Sequence, residues 1–107
     1  MARPDLEDWA DRYFLSGGGF AKRRTFGCPS YYAGRRMFAF LYEDALGIKC
    51  DPALVSAKVS EDADRYRHFN PGDGVMRNWL LIVRPEADEY EEELPLIESA
   101  MESFGAL

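Results

Sequence analysis

The chain has 107 residues, 47% of them apolar and 30% charged, with a formal charge of −6 at pH 7. That is the size of one domain (residues 1–107), apolar enough to fill an ordinary core and too apolar to be disordered by composition. No run of about 18 apolar residues is present to span a bilayer as a helix, and the acidic start MARPDLEDWADRYF lacks the apolar stretch of a secretory signal.

Residues 5–15 (DLEDWADRYFL) are expected to form a helix, because Leu6, Trp9, Tyr13 and Phe14 recur at spacings of three and four. Pro4 and Asp5 suit its first turn, and Gly17-Gly18-Gly19 end it. Residues 24–33 read as a strand, Ala33-Gly34-Arg35 as a tight turn and 35–43 as a second strand rich in aromatics. Glu43-Asp44 turn the chain into a third short strand over 45–50. Asp51 and Pro52 are a good N-cap and first residue for the next helix, with Leu54, Val55 and Val59 as its modest apolar face.

Residues 65–69 can form a strand, Asn70-Pro71-Gly72-Asp73-Gly74 is a strong turn signal, and 75–84 is the last strand. Its run Leu80–Val83 is apolar on both faces, as in a central or covered strand. The spacing of Ala87, Tyr90, Leu94, Ile97, Met101 and Phe104 predicts a C-terminal helix. Pro95 lies inside that pattern, so the helix is expected to kink there or to start properly near Leu94. The order α-β-β-β-α-β-β-α predicts an α+β two-layer sandwich: a five-stranded antiparallel sheet with helices on one face.

Strict alternation in 35–43 puts Met37, Ala39 and Leu41 on one side and Phe38, Phe40 and Tyr42 on the other. If helices cover only one face, a row of rings is left to be covered by other means. The row closes within the monomer, or it is an association surface. Phe38, Phe40, Tyr42 and Trp79 are the candidate interaction residues.

The chemistry of an enzyme is harder to find. Gly17–Lys22 lacks the spacing of a phosphate-binding loop and reads as a flexible connection. Cys28 and His68 are far apart in sequence, and nothing fixes them as nucleophile and base. His68 is the only histidine and reads as a strand-surface residue; with two cysteines and no ligand cluster, no metal or cofactor is expected. Cys28 and Cys50 show no CxxC spacing and are expected to be free thiols, in keeping with a reducing, cytoplasmic setting. The carboxylates Asp62, Asp64 and Glu91-Glu92-Glu93 read as solvated faces.

Charge is uneven: residues 1–50 carry +2 and residues 51–107 carry −8. The balance weighs against nucleic acid, although Lys22, Arg23, Arg24, Arg35 and Arg36 are grouped in sequence. Of these, Arg24, Arg35 and Arg36 are the candidate anion or nucleic-acid contacts, the plainer reading being arginines that solvate a hairpin turn. A third reading places a small-ligand or enzymatic pocket between sheet and helices, near Tyr32, Cys28 and Trp79.

The pattern Arg24, Phe26, Gly27, Tyr31, Gly34, Met37-Phe38-Ala39 resembles the TfoX N-terminal domain, as does the later order of a strand ending at Lys49, the Asp51-Pro52 helix, a hairpin and a C-terminal helix. Thr25 and Cys28 stand where that family commonly has Met and a second Gly. The resemblance covers roughly residues 20–104. It implies a secretion-chaperone-like fold and kinship with bacterial competence regulators, in which this domain is joined to a C-terminal domain that this chain is read as lacking. It carries no catalytic residue. Together these readings lead to a non-enzymatic protein-interaction or regulatory module whose partner is a protein or a second copy, with a nucleic-acid-associated regulator as the alternative.

Overall fold

A computed structural model of the chain describes residues 2–106. It is an α+β structure in which one open antiparallel sheet carries three helices. Helix α1 spans Pro4–Leu15. The first four strands follow as a meander: β1 Ala21–Thr25, β2 Cys28–Ala33, β3 Arg36–Tyr42 and β4 Ala45–Lys49. Helix α2 (Pro52–Glu61) leads to β5 (Tyr66–Phe69) and β6 (Met76–Ile82). A 3-10 segment, Ala87–Glu93, runs into α3 (Leu94–Phe104). The sheet order is β1-β2-β3-β4-β6-β5, so β6 is an interior strand, as its unbroken apolar run requires.

The sheet has six strands rather than five because the segment 24–33 is a hairpin. Thr25 pairs with Cys28, and the two residues between them, Phe26 (φ 53°) and Gly27 (φ 79°), both adopt left-handed backbone angles. That is the type I′ geometry that matches strand twist, usually built by Asn-Gly. Phenylalanine in the first position hides the signal.

Local chemistry sets the other boundaries. The Asp51 side chain accepts a hydrogen bond from Ala53 N at 2.8 Å, capping α2. Pro95 occupies the first turn of α3, where its missing N–H costs nothing, so the helix proper starts at Leu94 and the turn before it tightens to 3-10. Arg3 ties the start of α1 to the end of β6, donating to the carbonyl oxygens of Arg84 (2.7 Å) and Pro85 (3.1 Å).

Helical side chains fill one cluster: Leu6, Phe14, Val55, Ile97 and Met101 pack there with Tyr31, Leu46, Ile48, Leu80 and Ile82 from the sheet. A second cluster holds sheet residues alone, namely Phe40, Ala45, Trp79 and Leu81, bordered by Met37, Tyr42, Phe69 and Val83. Leu46 and Ile48 alternate with Ala45, and Leu80 and Ile82 with Trp79 and Leu81, so the two clusters lie on opposite faces.

Phe38 breaks the alternation expected for β3. Tyr31 pairs with Ala39 but Tyr32 pairs with Met37, leaving Phe38 as an extra residue in a β-bulge. Phe38 and Ala39 therefore both face the helices. Phe38 has no exposed surface and meets Phe14 edge-to-face, with ring centroids 5.3 Å apart. Met37, Phe40 and Tyr42 form the row on the other face. A second register break lies between β5 and β6, where His68 pairs with Leu80 and Phe69 with Met76.

Candidate functional site

The helix-free face is concave. One groove of about 250 Å³ is lined from both sides of the sheet: Thr25, Cys28 and Ser30 from the first hairpin, and Phe69, Pro71 and Met76 from the last. Six strands laid flat would span roughly 24 Å at the usual strand spacing. Residues of β1 and β5, the two edge strands, can share one groove only if the sheet curls strongly. The two register breaks, in β3 and in the β5–β6 pair, supply bends of the kind that curl a sheet.

The floor is a set of interlocking rings. Phe40 meets Trp79 at 4.9 Å with planes at 73°, and Phe69 at 4.9 Å. Tyr42 meets Phe69 at 5.1 Å with planes at 74°. Such edge-to-face pairs add roughly 0.5–1.5 kcal/mol each beyond burial. Gly47 makes the arrangement possible: it lies opposite Phe40 on β4, and a Cβ there would come within 2.6 Å of the ring. The absence of a side chain lets Phe40 lie across β4 and reach Trp79. Lys49 closes that end, its Nζ 5.2 Å from the centre of the Trp79 ring. The rim is apolar too: Phe26 is fully exposed at its hairpin tip, and Met76 is 44% exposed.

Three of the four expected interaction residues, Phe40, Tyr42 and Trp79, are thus brought together, while Phe38 belongs to the opposite face. Sequence alone did not single out Phe69 and Met37 in the groove or Phe26 and Met76 on its rim. Phe26 did carry a signal, as a large ring beside a turn glycine. The pocket expected between sheet and helices near Tyr32 lies instead on the helix-free side. Cys28 and Trp79 line it and Tyr32 does not; Tyr32 bonds Thr25 Oγ1 at 2.9 Å.

The basic residues do not converge. Lys22 is held between Glu7 (2.6 Å) and Asp11 (2.9 Å) of α1. Arg24 lies 3.9 Å from Glu7, and the Arg36 guanidinium stacks 4.0 Å over the Phe104 ring. In register, Arg24 is opposite Pro29 and Arg36 opposite Ala33, which separates their backbones by roughly 13 Å along β2. Arg35 is exposed in the turn between β2 and β3.

Glu93, expected on a solvated face, is only 3% exposed. It pairs with the equally hidden Arg84 at 2.7 Å and accepts a hydrogen bond from Tyr66 Oη at 2.7 Å. Glu92 and Glu93 together raise the Arg84 pKa above its ordinary value. Burial, with the bond to Glu93, pushes the Tyr66 hydroxyl up. Tyr90 Oη donates to Ile82 O at 2.9 Å and accepts from Arg84 N at 3.1 Å. This network welds the 3-10 segment to the end of β6.

His68 lies half-buried on β5 rather than at the surface, and its Nδ1 is buried without a hydrogen-bond partner among the described residues. Both cysteines are free; burial pushes the Cys50 thiol up to about 11. Among the described residues no group of three or more His, Cys, Asp or Glu side chains is placed to hold a metal ion, and no helix is long and apolar enough to cross a membrane. No protein-family model matches the chain, and no match is found among curated proteins or solved structures.

Proposed function

We propose that the chain is a non-catalytic protein-interaction module that docks through the helix-free face of its sheet. The observation that carries this reading is the groove between the two hairpins, floored by Phe40, Tyr42, Phe69 and Trp79 and almost without polar atoms. Small-molecule sites are usually larger, about 300–1,000 Å³, and carry a few polar groups to orient the ligand. This groove is smaller and lacks that polar equipment, so it suits one apolar side chain presented by a protein. Aromatic anchors seated in such pockets dominate the energetics of protein interfaces.

The likeness to the TfoX N-terminal domain supports a regulatory setting and, in finer detail, a secretion-chaperone-like two-layer arrangement. The scattered arginines give the nucleic-acid reading less support.

The test is co-purification from the native cell with the chain tagged, in the wild type and in a Tyr42→Ser, Phe69→Ser double variant. Both positions are only partly buried, so the fold is expected to survive. Loss of the bound chains in the double variant, with circular dichroism unchanged, is the expected result. Identical capture by both forms, from a chain that also stays monomeric at high micromolar concentration, overturns the reading.

A further inference from the structure

Phe26 carries two costs at once. Its ring is wholly exposed, which wastes apolar surface, and its backbone is held at φ 53°, a region that disfavours bulky side chains. Asparagine would remove both penalties in the same turn. The ring stands at the lip of a groove of about 250 Å³, room for one phenyl ring, whose walls include Met37 and Met76, flexible side chains that adapt to an inserted ring. Knob and hole are therefore neighbours on one patch, and a patch of that kind is self-complementary. A two-fold axis beside the hairpin tip places each copy's knob over the other copy's hole, a closed isologous arrangement.

From this we infer that the occupant of the groove is Phe26 of a second copy, inserted reciprocally. The inference rests on the docking reading above and names its partner. The contact is small: stable interfaces bury about 800 Å² per partner, and one ring and a short rim supply less. The pair is accordingly transient, with a dissociation constant in the micromolar range. Each copy carries −6, so repulsion opposes pairing and added salt strengthens it. Contact with nucleic acid has the reverse salt dependence.

Sedimentation equilibrium of the full chain, from low to high micromolar and at low and high salt, tests the inference. The wild type is expected to show a monomer–dimer equilibrium that tightens with salt. Phe26→Asn is expected to weaken it at least about tenfold, as for loss of an anchoring aromatic, while melting no lower than wild type. Phe26→Leu, which keeps an apolar knob no larger than a phenyl ring, retains the dimer. A strictly monomeric wild type, or Phe26→Asn associating as the wild type does, overturns reciprocal insertion. A monomer whose native-cell capture still depends on Tyr42 and Phe69 sinks the self-pairing alone; a monomer with indifferent capture sinks the docking reading as well.

Discussion

The two faces of the sheet use aromatic residues in opposite ways. On the helix side, Tyr31, Tyr66 and Tyr90 are buried and every hydroxyl has a partner: Asp11, Glu93 and the Ile82 carbonyl. Phe14 of α1 and Phe20, just before β1, close over Phe38, so that face is sealed. On the other face the rings of Phe40, Phe69 and Trp79 cover one another, no helix lies over them, and a groove stays open between two hairpins. A face that only needed to be buried would resemble the first. The second keeps apolar surface accessible, as a docking surface does.

Mutation separates the two faces, and the largest effect is expected in the sealed layer. Phe38→Ala should cost about 3–5 kcal/mol in chemical denaturation, because a filled site becomes a cavity. Met76→Ala, on the rim, should stay within about 0.5 kcal/mol of wild type. Equal losses at both positions would mean that the faces are equivalent in stability.

Glu93→Ala comes next. It removes the buried partner of Arg84 and the acceptor of the Tyr66 hydroxyl, and should cost about 3 kcal/mol. That is the low end for breaking a buried pair, because Glu92 and Glu89 still face Arg84. A loss no greater than that of Glu92→Ala would show the pair to be unimportant.

Gly47→Ala tests the floor of the groove alone. The added methyl collides with the Phe40 ring and should cost about 1–3 kcal/mol, with near-ultraviolet circular dichroism reporting displaced rings. An unchanged spectrum would mean that the ring does not lie across Gly47.

The smallest effect concerns the two thiols. Cys50 is held neutral by burial, its folded value about 11 against an ordinary 9.0. Protecting the neutral thiol therefore stabilises the fold below pH 9, and that contribution is lost as pH rises through about 11. At pH 8 a maleimide should label half-buried Cys28 well before Cys50, and denaturant should equalise them. Equal native rates would place Cys50 nearer solvent.

Much of the fold was legible because local signals agreed with it. Asp51-Pro52 and the Asn70–Gly74 turn each have a single chemical meaning, and of the two readings open at Pro95 the helix start near Leu94 is the one that forms. Two features were hidden. The β1–β2 turn is built with Phe26 in a place that normally signals itself with asparagine. The bulge at Phe38 comes from tertiary packing against Phe14 and Phe20, which no alternation rule contains. That single extra residue moved Phe38 off the site and put Met37 onto it. Glu93 was misread for the same reason: its acidic run looks solvated until Arg84, nine residues earlier, folds against it.

The most direct test of the open face as a docking surface is a concentration series of methionine methyl resonances. Met37 and Met76 line the groove, and Met101 is buried among the helices. Pairing through the groove should shift the Met37 and Met76 methyls between low and high micromolar in the wild type, Phe26→Asn should suppress the shift, and Met101 should stay fixed throughout. Groove methyls that never move, or a Met101 that moves as far as they do, would contradict it.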